Sequence, residues 1–550
     1  MPRSIITLLV LLVGAGTALG AAETYKVTIF TDGTNVAGCP ALPSTGMCSL
    51  RAAILKSNSH AGTDTIQIPA GTYNLTITGR SEDAGATGDL DILDAVNITG
   101  IGTTANSVII DCNKNDRAFD IQPGKNTNMS KLTIQNCDAQ NDYGGAIFNS
   151  ATTTLTDVVI QNNHAGASGG GISSEDVLTL TNVSLLNNVA DTAGGGLDTT
   201  FTANLNNVTI TGNTASTGGG INDDEEVNLT NVTVSGNTAT TGGGLKNTVI
   251  ATLTASTFAN NGADVGGDYY QLGDPSVTDA NFKYTILANA TSGGACMLAF
   301  GTITSSGHNM ETGNTCGFTG PGDLVNVVNA GLAPLASYTV LTGQHSMLMH
   351  ALFQSSPALD AGGADCPPPA ADQRALSRPR DGNGDTISRC DIGAFESDGT
   401  FPTTTTTSTT SSTTTSTTSS TTTSTTTSTI PTTTTSTTTT ITTTTSTTTT
   451  VTTTSSTTTI VTTTTTSSTT STTLACGDVN GDHFINVGDA LVIAQYDVGA
   501  RTCFVSPFAH PELCDVNRDG QCNVGDALAI ARCDVGLISC SFNCLPFTCP

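Results

Sequence analysis

The sequence predicts an all-β chain dominated by a right-handed parallel β-helix solenoid with three strands per coil. A disordered Thr-rich linker follows, and then a small α-helical module built on two calcium loops. Three observations lead there: glycine clusters that recur every 24 or 25 residues, a tract of almost pure Thr and Ser, and two twelve-residue loops rich in Asp and Asn near the C-terminus.

The chain opens on Met1-Pro2-Arg3, an apolar run from Ile5 to Val13, and small residues around Gly20 to Ala22. A charged start, a short apolar core and a small-residue cleavage site read as a signal peptide over residues 1–21. The run is too short to span a bilayer, and no other stretch offers the roughly 18 to 20 apolar residues a transmembrane helix needs. The expected location is therefore outside the cytoplasm, secreted or at the cell surface.

Sixteen cysteines agree with an oxidising compartment. Eight precede the tail as local pairs, read as Cys39 with Cys48, Cys112 with Cys137, Cys296 with Cys316 and Cys366 with Cys390; the other eight crowd into the last 75 residues, where pairing stays open. A net charge of −27 with only 18 Lys and Arg excludes nucleic acid and anionic membranes as partners, because both need a basic footprint. Calcium suits this charge.

The body, residues 22–400, is organised by its repeat. Glycine clusters begin at Gly144, Gly169, Gly194, Gly218, Gly242 and Gly266. Each unit then carries an apolar residue just after the glycines (Ile172, Leu197, Ile221, Leu245) and a central one (Leu180, Leu205, Leu229, Leu253). An alternating pair follows (Val158/Ile160, Val183/Leu185, Val208/Ile210, Val232/Val234), and then an asparagine at Asn163, Asn188, Asn213, Asn237 or Asn261. Three short strands between Gly and Asn turns make one coil, whose apolar side is buried only by stacking on its neighbours. Alternating apolar spacing and units rich in Thr, Val, Asn and Gly exclude a helical repeat. The asparagines should form a ladder bonding the backbone of the next coil. Thr65 to Ile68, Tyr73 to Ile77, Val96 to Ile98 and Val108 to Ile110 read as less regular coils.

Residues 401–474 have almost nothing apolar to bury and cannot offset their chain entropy, so they read as an extended spacer whose composition suits O-glycosylation. Residues 475–550 carry the calcium chemistry. Asp478, Asn480, Asp482, the Phe484 carbonyl, Asn486 and Asp489 occupy positions 1, 3, 5, 7, 9 and 12 of a twelve-residue loop, and Asp515, Asn517, Asp519, the Gln521 carbonyl, Asn523 and Asp526 do so in a second. Alternating oxygen ligands wrap a hard cation, and position 12 closes its shell from the start of a helix. Two Ca2+ ions are expected. Gly520 suits the sharp turn of loop two, whereas His483 strains the same position in loop one and weakens that site.

Several motifs carry family resemblances. Cys48-Ser49-Leu50-Arg51-Ala52-Ala53-Ile54 resembles the CSLREA motif of secreted bacterial β-helix proteins, with Ala52 where Glu is usual, and implies a helix capping the solenoid. Ser356 to Gly362, Asp372-Gln373-Arg374, Arg378-Pro379 and Cys390 to Glu396 resemble the closing segment of choice-of-anchor proteins with pectin-lyase-like β-helices. The Asp-ended loops with a Gly-Asp-Ala-Leu helix start resemble dockerin type I modules. That resemblance implies a cohesin-like partner, although Val487-Gly488 and Val524-Gly525 replace hydroxyl-bearing recognition pairs.

A pectin-lyase-like solenoid would imply a polysaccharide lyase or glycoside hydrolase, yet the Gly-His-Gly and Arg-Ile-Lys tripeptides of polygalacturonases are absent. Counting from the glycine clusters places Glu175 and Asp176, then Asp198, then Asp223, Asp224 and Glu225, on one corner with Lys246 above. Carboxylates on coils about 4.8 Å apart suit glycosidase spacings. The pair Asp116-Arg117 and the run Asp381 to Asp385 are weaker candidates, and the scattered histidines read as surface or turn residues. No Trp and 4% aromatic residues leave few platforms for stacking neutral sugars. Two functions stand: a polysaccharide-associated component of a secreted assembly, or a noncatalytic surface or adhesin-like scaffold.

Overall fold

The computed structural model describes residues 20–402, except 81, 274–278, 340–345, 364 and 368, together with 493, 514–516, 522–523, 526–527 and 529–530. The expected signal peptide before residue 20, the spacer beyond 402, the whole first calcium loop with all of the following stretch but Ile493, and Asn517, Asp519 and Gln521 of the second loop lie outside the described residues. The chain divides into two units, Met1–Thr415 and Ser416–Pro550.

The first unit is a parallel β-solenoid. One face is a nine-stranded parallel sheet of three-residue strands running from Leu90–Ile92 to Cys296–Leu298. The other two faces belong to a single 19-stranded sheet, joined where Thr127–Gln135 and Thr153–Gln161 run unbroken across both. A regular coil therefore has three strands, as in Ile172–Ser174, Leu178–Thr181 and Ser184–Leu186. A short fourth pairing joins His164–Ala165 to Val189–Ala190.

The repeat read from sequence is the register of this stack. Ile172 lies opposite Leu197, Leu197 opposite Ile221 and Ile221 opposite Leu245, while Leu180 meets Leu205 and Leu185 meets Ile210. All are fully buried, so each coil borrows its hydrophobic cover from the coils beside it. The first glycine of each cluster has φ between 59° and 73°, where a β-carbon is strained. The second is excluded from substitution by crowding: a β-carbon on Gly170 would lie 2.4 Å from the Val189 carbonyl oxygen.

The asparagine ladder is present but runs opposite to the expected direction. Asn213 Oδ1 accepts from the Asn188 backbone N–H at 2.9 Å, and Asn213 Nδ2 donates to the Leu185 carbonyl at 3.0 Å. Each side chain thus bonds the preceding coil and hands its own backbone N–H to the next asparagine. The ladder extends from Cys137 to Asn261.

The N-terminal end is covered by the helix Leu50–Asn58, capped by the Ser49 side chain, which accepts from Ala52 N–H at 3.1 Å. Ala52 is buried, so a carboxylate at this position would be taken out of water. Of the irregular coils, Asp64–Ile68, Val96–Gly100 and Val108–Asp111 form as expected. The strand at Tyr73 is Gly71–Asn74 and stops short of Ile77, because Asp32 Oδ2 takes the Thr76 and Ile77 N–H groups at 2.9 and 3.0 Å.

The C-terminal segment folds back along the flank of the solenoid. Gln373 donates to the Val208 carbonyl at 2.9 Å and accepts from Thr233 Oγ1 at 2.6 Å, while His350 bonds Ser235 at 2.8 Å. His350 is therefore buried, not a surface residue. Arg378 pairs with Glu396 at 3.0 Å and Arg374 with Asp372 at 2.7 Å, which makes these motif residues staples. An antiparallel pair, Ala336–Thr339 with Ser346–Met349, departs from the parallel plan. Disulfides Cys39–Cys48, Cys112–Cys137, Cys296–Cys316 and Cys366–Cys390 match the expected pairing.

Asn213→Ala strips partners from two buried N–H groups and a buried carbonyl, so urea unfolding should show a loss of roughly 2–4 kcal/mol. Asn206→Ala, at an exposed strand position, should stay within about 0.5 kcal/mol.

Candidate functional site

Strand register decides what the acidic corner can do. Asp198 lies opposite Asn222, and Asn222 opposite Lys246; Thr199 lies opposite Asp223, and Asp223 opposite Asn247. Successive side chains on a strand point to opposite faces. Asp198 and Lys246 therefore share the outer face, while Asp223 points inward with Ser174, Thr199 and Asn247. The stack separates Asp198 from Asp223 instead of bringing them together.

What it assembles on the outer face is Asp198, Asp224, Asn222 and Lys246. Asn222 Nδ2 donates to Asp198 Oδ1 at 2.8 Å and reaches Asp224 Oδ2 at 3.5 Å. One amide nitrogen thus holds an oxygen of each carboxyl group, which brings the two acids side by side across neighbouring coils. Lys246 donates to Asp224 at 2.7 Å, and Thr248 donates to it at 2.8 Å. Burial pushes Asp198 up to about 6, against the Asn222 hydrogen bond. Burial works to raise Asp224 too, but the Lys246 ammonium and the Thr248 and Asn222 donors hold it below the usual carboxylate range. A protonatable acid beside a firmly ionised one is the electrostatic arrangement of an acid and its partner carboxylate.

The remaining acidic candidates have structural partners. Glu175 and Asp176 accept from Ser150 and Thr152 on the preceding coil at 3.2 and 3.4 Å. For Glu225 it is the backbone that is held, its main-chain carbonyl accepting from the Ile250 N–H at 2.9 Å. Asp381 folds its own loop, accepting from Gly384 and Thr386 N–H at 2.7 and 2.9 Å. Asp116 and Arg117 line a cleft with Arg80, Gln140, Asn141 and Asp142, where Arg80 reaches Asp116 at 3.5 Å and Arg117 reaches Asp142 at 2.6 Å. His164 bridges Asp138 and Asp191 at 3.0 and 3.2 Å.

In the second unit, positions 1, 9 and 12 of loop two are described. Asp515 and Asp526 are buried, and Asp526 Oδ2 accepts from the Asn523 N–H at 3.0 Å. Asp526, Ala527, Ala529 and Ile530 are helical, as the expected run into a helix requires. The Cys514–Cys522 disulfide, left open by sequence, ties the residue before position 1 to position 8. It places the residues next to positions 1 and 9 of the loop on one covalent tie. The cysteine spacing alone carried no signal for that choice.

A parallel solenoid and, at the C-terminus, a loop with a buried acidic residue at each end are the two features to set beside known families. The Dockerin type I domain family matches residues 476–533, and the Chlamydia polymorphic membrane protein repeat matches residues 157–175, from the corner before one asparagine rung through the next glycine cluster. Dockerin type I domains bind calcium and dock on cohesins. Neither a curated protein nor a solved structure matches the chain.

Asp223 offers a test of the register. Burial pushes its carboxyl up to about 8, with Asp224 adding to the shift. Its folded value lies above the unfolded one, so stability is full below about pH 4 and falls as pH rises toward 8. Asp223→Asn removes that ionisation at nearly the same side-chain volume, and neither Asp223 oxygen has a hydrogen-bond partner among the described residues to lose. The unfolding midpoint should rise by roughly 2 °C or more at pH 8.5 and change little at pH 4.

Proposed function

We propose that the chain is a secreted component of a multi-protein assembly, docked through calcium-loaded residues 475–550 onto a cohesin-like partner, with its solenoid acting on polysaccharide. In this reading residues 1–21 are removed on export and residues 401–474 space the solenoid from the docked module. The observation that carries it is the Dockerin type I match over residues 476–533, on two loops with the same ligand pattern. The secreted setting is supported by the disulfides and by the lack, among the described residues, of any helix long and apolar enough to cross a membrane. Chemistry on the sugar is supported by Asp198 and Asp224, whose proton affinities are driven apart.

A specific feature favours the scaffold alternative. Lys246, the cation beside those carboxylates, is paired with Asp224 and only 12% exposed, so it is not a free proton acceptor for lyase chemistry. Incubation of the full chain with polyuronates and neutral glycans separates the readings. Release of reducing or unsaturated ends, lost by about 100-fold or more in Asp198→Asn and Asp224→Asn, supports turnover. Binding without turnover supports the scaffold, and neither binding nor turnover removes the carbohydrate reading. For docking, Asp515→Ala with Asp526→Ala should cut co-purification with the host's secreted complexes at least tenfold; unchanged retention would contradict it.

A further inference from the structure

The strongest unexplained chemistry lies at the N-terminal end of the solenoid, on strands other than those of the acidic corner. Leu90–Ile92 pairs in parallel with Phe119–Ile121, and the register sets Asp91 directly opposite Asp120. Like charges placed opposite one another destabilise a sheet. Asp89 adds a third carboxylate, and one oxygen from each of the three lies within 4.8 Å of the others.

This crowding is buried and poorly compensated. Asp91 is 0% exposed and Asp89 7%. Asp91 Oδ2 accepts from Gly85 N–H at 2.6 Å, but Oδ1 has no partner among the described residues. Arg117 is the cation at hand, 3.2 Å from Asp89 and 3.7 Å from Asp120, yet it is shared with Asp142 at 2.6 Å. Glu82 and Asp83 add further negative charge around Asp91. One guanidinium thus faces a surplus of carboxylates, and a buried charge without a partner costs several kcal/mol.

The loop that covers the cluster is held from behind. Arg51, itself 0% exposed, donates to the carbonyls of Gly85, Asp89 and Gly88 at 3.0, 2.7 and 2.7 Å, and pairs with Asp32 at 2.8 Å. The capping helix therefore fixes the backbone from which Asp89 and Asp91 project. Burial first, and then neighbouring carboxylates, push Asp89 up to about 8 and Asp91 up to about 7. Both directions report a place short of positive charge.

We propose that Asp89, Asp91 and Asp120 form a calcium site in the solenoid itself, separate from the loops of the tail, which joins the first strand of the nine-stranded sheet to the second. The donor set is oxygen only, without His or Cys, which selects a hard cation over zinc. Calcium accepts irregular, partly buried carboxylate shells, whereas magnesium keeps several waters in strict octahedral geometry. The proposal does not depend on docking or on catalysis.

The test uses the full chain with Asp478→Ala, Asp489→Ala, Asp515→Ala and Asp526→Ala to silence the tail. Calorimetric titration with calcium chloride should show one remaining ion per chain, and a hundredfold excess over Kd should raise the solenoid's unfolding midpoint by ~2–4 °C. Adding Asp91→Asn should abolish binding while the calcium-free midpoint stays level or rises, because a repelling charge has gone. If that variant does not fold, Asp120→Asn, with its more exposed side chain, gives the same readout. No binding in the tail-silenced chain, or binding that survives both substitutions, would overturn the proposal.

Discussion

Every coil of this solenoid must offer its neighbour the same backbone at the same height, because coil-to-coil hydrogen bonds leave no room for local adjustment. The asparagine column enforces that condition at the corner, where backbone groups would otherwise be buried without partners. Asn188, Asn213 and Asn237 each spend their amide on the preceding coil and each need the following one. Glycines with positive φ and close carbonyl contacts pack beside that column, where a β-carbon on Gly196 would lie 3.2 Å from Asn213 Nδ2. Apolar stacking supplies the driving force, but the ladder and the glycines fix the register in which it acts.

That register also distributes the chemistry. A strand position has one of two fates, so Asp198 reaches the outer face while Asp223 enters the interior polar column. The same rule sets Asp91 against Asp120 in the first coils. Repetition that is harmless for Leu or Asn becomes costly for Asp, and the protein meets the cost differently at each place. Asn222 and Lys246 share out the charge on the outer face, and Arg117 serves the first coils only in part.

The period, the strand columns, the capping helix and four disulfides were legible because each leaves a local mark: a Gly cluster, an alternating pair, a paired cysteine. The direction of the ladder was not, since an asparagine looks the same whichever neighbour it bonds. Counting from the glycines aligned Asp198 with Asp223, but Asp223 falls one strand position later, and one position turns a side chain to the other face. Asp89, Asp91 and Asp120 escaped notice because they lie in the irregular coils, where no repeat signals which residues stack. The role of Arg51 behind that loop is a long-range contact and had no local signature.

The proposed roles divide between the solenoid, which carries acidic side chains at its surface, and the tail, whose second loop is tied by the Cys514–Cys522 bridge. The most direct measurement is calorimetric titration of the full chain with a type I cohesin, in calcium and again with the calcium chelated. A saturable one-to-one complex in calcium that disappears on chelation is the predicted result. Heat of binding absent in calcium, or unchanged by chelation, would contradict the assignment of the tail as a docking module.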